Sequence, residues 1–437
     1  MGCATEPPEG EATIPPCEGR IQGIKPSSLL TTYTLIVGLV SASILPLLGA
    51  IIDYTNHRRL VGRIVSALFC ISCFPQIFLN ETNFIAMAYV QLFSSFIGWA
   101  QTEITYSYLP ELTNDENLLN DYTKSFTVAM FTAAVVFLLI IIGSVTLAGY
   151  GDNDLITSRV GMSTGFIICI LLLPISWGKL FGERKAMHPL PDGQSLWTAG
   201  FIQLFRTTKK IATNFRALKW FYLAVAMSDS GTQTFSTIAV TYFVDNLQFN
   251  ATESGIAILI ILLGFIPGGF ISQYVTKRTD PVKSIVGSLV LQIVATTLFS
   301  IFLVGPNQQL ETYAISFLFG IGSGWNWTCA RLLASTIIPE GQDAELMGVF
   351  LFAGQVLTWI PPLVFTAQNE ANISQRVGVA TLNVYFAFAL LFYYLIGGYK
   401  KAREEVGHRT HYGVPSKEES ETEDVAKTNA EKETASA

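Results

Sequence analysis

Half of the 437 residues are apolar and only 14% are charged, where a soluble domain carries roughly a quarter, and the mean hydropathy is +0.42. The formal net charge of −6 falls mostly in tails and loops, so it points to no nucleic-acid partner. Six cysteines are too few and too scattered for a disulfide framework, which leaves a membrane protein as the class to test.

A span needs about twenty mostly apolar residues, and in lipid it must be a helix because its backbone polar groups have only each other to bond. Five such runs come first, at 29–52, 60–79, 83–109, 125–149 and 158–177. Residues 178–216 then turn polar and basic, with Lys179, Arg184, Lys185, Arg206, Lys209, Lys210 and Arg216. Six more runs follow, at 217–243, 254–276, 284–304, 312–337, 346–367 and 376–398. The expected architecture is therefore all-α and polytopic: a polar segment at 1–28, a five-helix bundle at 29–177, a basic linker at 178–216, a six-helix bundle at 217–398 and a tail at 399–437. That tail is rich in Glu, Lys, Thr and Ala, a composition that predicts disorder.

Two signals set an orientation. Lys and Arg collect on the cytosolic side of membrane proteins, and here they gather at Arg58, Arg59 and Arg63, in the central linker, at Lys277, Arg278 and Lys283, and at Lys400, Lys401 and Arg403. Asn-x-Ser/Thr acceptors mark the opposite, lumenal surface. Asn80, Asn250 and Asn372 open such tripeptides, all in loops poor in Lys and Arg. A fourth, at Asn326, falls inside a span. Both signals place the C-terminus in the cytosol and residues 1–28 in the lumen.

Two bundles joined by a basic linker resemble the major facilitator superfamily, in which substrate sits at the midplane between the halves. The first cytosolic loop carries the resemblance: Gly49-Ala-Ile-Ile-Asp53-Tyr-Thr-Asn-His-Arg58-Arg59, a glycine, an aspartate four residues on, then a basic pair. A weaker repeat, Gly269 to Lys277-Arg278, lacks the aspartate. Within that superfamily the chain looks like the autophagy-related vacuolar amino-acid effluxers. Pro46-Leu-Leu-Gly-Ala-Ile-Ile-Asp53, Tyr108-Leu-Pro110-Glu111 and Asp229-Ser-Gly231 carry this likeness. Its most specific part runs from Arg331 through Ile338-Pro-Glu-Gly341-Gln-Asp-Ala344-Glu345-Leu-Met-Gly348 to Trp359-Ile-Pro361-Pro-Leu-Val-Phe365. The family opens with a helix bearing an aromatic–Asp–Trp–Ala–Asn stretch. No counterpart precedes residue 29, so 29–52 takes the place of the family's second helix. The resemblance implies efflux of neutral amino acids from a vacuole or lysosome-like compartment, linked to autophagic recycling.

Charges inside spans cost about 2.5–3.5 kcal/mol by insertion scales and so face a cavity or a partner. Glu103, Asp229 and Arg331 qualify. An arginine fork suits a substrate carboxylate, and a carboxylate could hold an ammonium group or a coupling proton. Alternatively, Arg331 pairs with Asp229 or Glu103 as a latch between halves. Asn326, five residues before Arg331, lies about 140° away around the helix, so Asn326 and Trp327 are alternative rather than joint companions of Arg331. Asp53, Arg58 and Arg59 are candidates for a conformational latch, with the acidic loop of Glu340, Asp343 and Glu345 as its partner. Simple positive-inside anchoring accounts for the arginines but not for Asp53.

Chemistry of other kinds finds no support. The four histidines, His57, His188, His408 and His411, lie in loops or the tail. No phosphate-binding loop occurs, and Cys70-x-x-Cys73 sits within a span rather than a redox fold. Neither an enzyme, a metal nor a cofactor is expected. Two function classes remain: a secondary carrier for small solutes, with a possible proton coupling, or a transport-inactive scaffold or regulator that keeps the carrier fold. A carrier for a different small metabolite is the variant of the first.

Overall fold

The computed structural model describes residues 19–108, 112, 116–183, 195–306, 308–338 and 343–405. Among them the chain is helical throughout, and a single bridge, Ile21 to Ile24, is its one strand-like pairing. The helices are α1 (Pro26–Tyr54), α2 (Arg58–Cys73), α3 (Phe84–Tyr106), α4 (Glu116–Leu147), α5 (Asp154–Ile175), α6 (Leu196–Asn214) and α7 (Arg216–Asp245). They continue as α8 (Ala251–Arg278), α9 (Pro281–Phe302), α10 (Gln309–Ile337), α11 (Asp343–Val356), α12 (Ile360–Glu370), α13 (Gln375–Leu395) and α14 (Tyr399–Glu405). Their starts are written in the sequence. Pro26 and Pro281 fill first-turn positions that need no N–H. Asn153, Asn250 and Asp280 accept the orphan amides of α5, α8 and α9, and Asn250 forms a reciprocal capping box with Glu253.

Eight helical segments among the described residues are long and apolar enough to cross a membrane. Three more helices have the length but a more polar content: α3 with 23 residues, α7 with 30 and α10 with 29. These three carry Glu103, Asp229 and Arg331 respectively. A helix that turns one face toward a polar interior has fewer positions left for apolar side chains.

Buried side chains form two cores. One gathers Ile52, Val65, Ile97, Ala100, Ile104, Tyr108 and Trp177 from α1, α2, α3 and the turn after α5. The other runs from Ile211 of α6 to Ala402 of α14 and takes in the helices between them. Its tightest contact joins α8 and α10 through Gly264, Gly268, Gly320 and Gly324. A Cβ on Gly268, Gly320 or Gly324 would overlap the carbonyl oxygens of Ile321, Ile261 or Phe265. Small residues let two backbones touch where lipid supplies no hydrophobic drive.

Three features depart from the sequence reading. The linker contains α6, whose Gly200 seats against the Pro46 carbonyl of α1, whose Gln203 accepts a bond from Tyr54 Oη at 2.9 Å, and which leaves Phe201 and Phe205 exposed. The predicted disordered tail begins instead with α14, because Glu405 accepts the first two amides of α7, from Arg216 and from Ala217, the latter at 3.1 Å. Residues 406–437 lie outside the described ones, as do 1–18. Thirdly, the run 346–367 is not one helix but two, α11 and α12.

Gly320→Ala should force α8 and α10 apart. We expect it to lower the midpoint of thermal unfolding in detergent, with a destabilisation of about 1–3 kcal/mol typical of overpacking. Gly143→Ala, at a position open to space, should not.

Candidate functional site

The two bundles meet along a seam that is bonded at the end carrying the sequons. Lys25, just before α1, reaches across to α12: its amide donates to Glu370 Oε1 at 2.8 Å, and its ammonium donates to the Asn369 carbonyl at 2.5 Å and to Asn372 Oδ1 at 2.8 Å. Asn369 Nδ2 donates back to Ser27 and Ser28 at 2.7 and 2.8 Å. Arg20 pairs with Glu370 at 3.1 Å, and Thr31 and Thr366 share a hydroxyl bond of 2.8 Å. On the other flank the start of α8 is tied to the α4–α5 turn. Asn250 Nδ2 donates to Asp152 at 3.1 Å, the Ala251 amide to Asp154 at 2.8 Å, and Thr252 Oγ1 to the Gly151 carbonyl at 2.7 Å.

Deeper in the seam, Arg331 on α10 meets the first bundle. Its Nη2 donates to Tyr106 Oη of α3 at 3.2 Å. The guanidinium stands 4.7 Å from the Trp327 ring and 5.6 Å from that of Tyr106, within cation–π range. Aromatic rings continue the contact: Phe131 of α4 lies 6.1 Å from Trp327 and 4.7 Å from Phe265 of α8.

Asp229 lies on α7 against α11. The position a Cβ would take on Gly354 is 2.8 Å from Asp229 Oδ2, so glycine there lets the carboxylate rest on the helix backbone. Ser228 Oγ donates to Oδ1 at 3.4 Å. Directly beyond comes the break between α11 and α12. Pro361 and Pro362 have no N–H to give the carbonyls of Leu357 and Thr358; the Leu357 carbonyl accepts from the Ile360 amide at 3.0 Å instead, and side chains meet other carbonyls around the break. Gln233 Nε2 donates to the Gly354 carbonyl at 3.3 Å, Thr234 Oγ1 to that of Thr358 at 3.5 Å, and Trp359 Nε1 to that of Val356 at 3.0 Å. Trp359 also touches the first bundle at Gly38 of α1.

The sequence-predicted residues distribute as follows. Arg331 makes its described bonds to the opposite bundle rather than to Asp229 or Glu103, so the direct ion-pair latch is not the arrangement formed. Glu103 precedes Tyr106 by three residues and shares its face of α3, about 60° away. Asn326 is buried toward α9, where Ser288 Oγ donates to it at 3.5 Å. Trp327, not Asn326, accompanies Arg331. Arg58 donates to the carbonyls of Ser107 and Ile52 at 3.3 and 3.4 Å. Arg59 donates to those of Trp177 and Gly178 at 3.3 and 2.6 Å. All four acceptors are in the first bundle. Asp53 lies in α1, and its side chain is outside the described atoms, as are Glu340 and the side chains of Asp343 and Glu345. Asn80 folds an Asx turn over its own tripeptide, accepting from the Thr82 amide at 2.9 Å. Asn250 and Asn372 are built into the seam. Lys25, Gly354 and Asn369 were not singled out from sequence, since a lysine, a glycine and an asparagine at such places are commonplace in membrane helices.

The sequence matches the family described as "Vacuole effluxer Atg22 like" over residues 17–127 and 123–406. The chain belongs to that family. No curated protein matches it in sequence. Among solved structures, it is similar to a variant of the nucleoside transporter NupG, with a TM-score of 0.58, 16% identity, and 85% of this chain and 90% of that one covered. A bacterial homologue of the iron transporter ferroportin, in an inward-facing state, gives 0.54 and 15% over 85% and 90%. The human organic anion transporter MFSD10 (TETRAN) gives 0.51 and 13% over 85% and 83%. Identities this low speak for the fold alone, which is that of major facilitator superfamily transporters. This member of the Atg22-like effluxers is thus a multi-pass membrane protein with the fold of a secondary transporter.

Alternating access in such a fold requires the bonded end of the seam to open. In a variant with Thr31→Cys and Thr366→Cys, oxidation should lock that end and abolish solute uptake in proteoliposomes, and reductant should restore it. Parental uptake by the fully cross-linked protein would show that this end does not part during transport.

Proposed function

We propose that this protein is a secondary carrier that moves small zwitterionic solutes, neutral amino acids foremost, out of a vacuole or lysosome-like compartment by alternating access. The observation that carries this reading is Arg331. It is a cation on α10 of the second bundle that reaches Tyr106 of the first within the seam. A planar guanidinium accepts a carboxylate in two parallel bonds. Asp229, on the same bundle beside the α11–α12 break, supplies the opposite charge for an ammonium group. The two form the ends of a zwitterion site, and the freed backbone at the break is the kind of feature that surrounds substrate in transporters of this general plan.

In this reading the sequon-bearing end of the seam is lumenal, and the structure has that side bonded shut. Glu103, on the Tyr106 face of α3, is the candidate for a coupling proton. A buried carboxylate can exchange a proton without crossing the membrane as a bare charge.

Counterflow of a labelled neutral amino acid into proteoliposomes tests the reading. The parent should show saturable uptake, and Arg331→Gln and Asp229→Asn should each abolish it while eluting as the parent does in size exclusion. Uptake retained by both variants would remove the site assignment. No uptake by the parent would remove the amino-acid reading.

A further inference from the structure

Two tryptophans stand two residues apart on α10 and face opposite ways, about 160° apart around the helix. Trp325 turns into its own bundle, where its indole Nε1 donates to Ser284 of α9 at 2.9 Å. Trp327 turns to the seam. Its ring meets Phe131 of the first bundle at 6.1 Å and lies 4.7 Å from the Arg331 guanidinium, one helical turn further on. The two side chains share a face because they are four residues apart.

The difference between the two is the N–H. The Trp327 Nε1 atom is buried and has no hydrogen-bond partner among the described residues. An indole N–H can only donate, and buried donors are nearly always paired. Here it sits beside a guanidinium, another pure donor. A group that pairs with the indole N–H must be an acceptor, and the cation over the same ring makes an anionic acceptor the better fit. Phe131 offers the N–H only a π face at 6.1 Å, and the Tyr106 phenol, which takes a bond from Arg331, takes none from the indole.

We propose that the Trp327 indole N–H is a specificity-determining donor that takes an oxygen of the substrate carboxylate held by Arg331, so that the site selects a carboxylate over an uncharged carboxamide or ester. The proposal rests on the zwitterion reading above and goes beyond it by assigning the head-group discrimination to one atom. A guanidinium alone attracts any acceptor. A second pure donor near the guanidinium favours a group that is anionic and accepts through both of its oxygens, which a carboxamide or ester does less well, and a site that hydrogen-bonds a group rejects analogues lacking it.

The test is counterflow by the full chain in proteoliposomes, with the labelled amino acid challenged by the same amino acid unlabelled, by its carboxamide and by its methyl ester. Trp327→Phe keeps an aromatic ring against Arg331 and Phe131 and removes the N–H. It should raise the half-saturation concentration about tenfold, leave the maximal rate within about twofold, and shrink the preference for acid over carboxamide by the same tenfold factor. Trp325→Phe should leave that preference unchanged. If Trp327→Phe does not fold, benzothienyl-alanine at position 327 preserves the bicyclic shape without the N–H and gives the same readout. Parental half-saturation and parental acid-to-amide preference in the N–H-free protein would overturn the proposal alone. No saturable uptake by the parent would overturn the transport reading and the proposal together.

Discussion

Hydrocarbon offers backbone amides and carbonyls no water, and every departure from a continuous helix must therefore be repaired by the protein itself. That constraint explains the plainest irregularity in the structure. α11 ends at Val356 in a tight turn, Pro361 and Pro362 open α12, and the carbonyls of Gly354, Val356 and Thr358 around the break are each met by a side chain, from Gln233, Trp359 and Thr234 respectively. Two of those three donors belong to α7, the helix that carries Asp229. The break and the carboxylate are consequently one construction: α7 must approach α11 closely to repair it, and Gly354 leaves the room in which Asp229 then lies.

The same constraint separates rigid contacts from breakable ones. Between α8 and α10 the backbones touch through four glycines, and nothing there can part without opening a void that lipid or water would fill poorly. Across the seam the bonds are of another kind, made by Lys25, Asn369, Thr31, Asn250 and their partners. Such polar contacts near water contribute little individually, since water replaces what separation removes. Many weak, solvent-exchangeable bonds between two internally rigid bundles suit a seam that opens and closes.

Much of this was legible in the sequence for a physical reason: spans and loop sides are properties of single segments. Hydropathy located α1, α3, α5, α7 to α10 and α13 within a few residues, began α4 nine residues late (125 against Glu116) and read α11 and α12 as one run. The charged residues Glu103, Asp229 and Arg331 were conspicuous because membranes tolerate so few. Partnerships were not legible. Arg58 and Arg59 were candidates for a latch; the described hydrogen bonds of both go to carbonyls at helix ends in their own bundle, and Arg59 also pairs with Glu183 at 3.9 Å. Those carbonyls lack helical donors and carry no mark in the side-chain sequence. Asn326 and Trp327 could be told apart as alternatives by helix geometry, but choosing between them needed the position of α9. The amphipathic α6 was hidden by its basic residues, which read as linker until Gly200 is set against α1 and Ile211 into the core of the second bundle.

Arg331 joins these levels. It is fixed on α10, the helix locked to α8 by its glycines, so it cannot shift without moving its bundle. Its bond to Tyr106 Oη, at the last residue of α3, joins the two halves. On the proposed reading, a carboxylate drawn to Arg331 competes with that phenol for the guanidinium, and its binding therefore differs in strength between a seam closed at this depth and one parted there. A ligand shifts an equilibrium only by such a difference in affinity between two states. Substrate recognition and bundle movement then act through one side chain, which is why the cation belongs on the rigid helix and its neutral, replaceable partner on the other bundle.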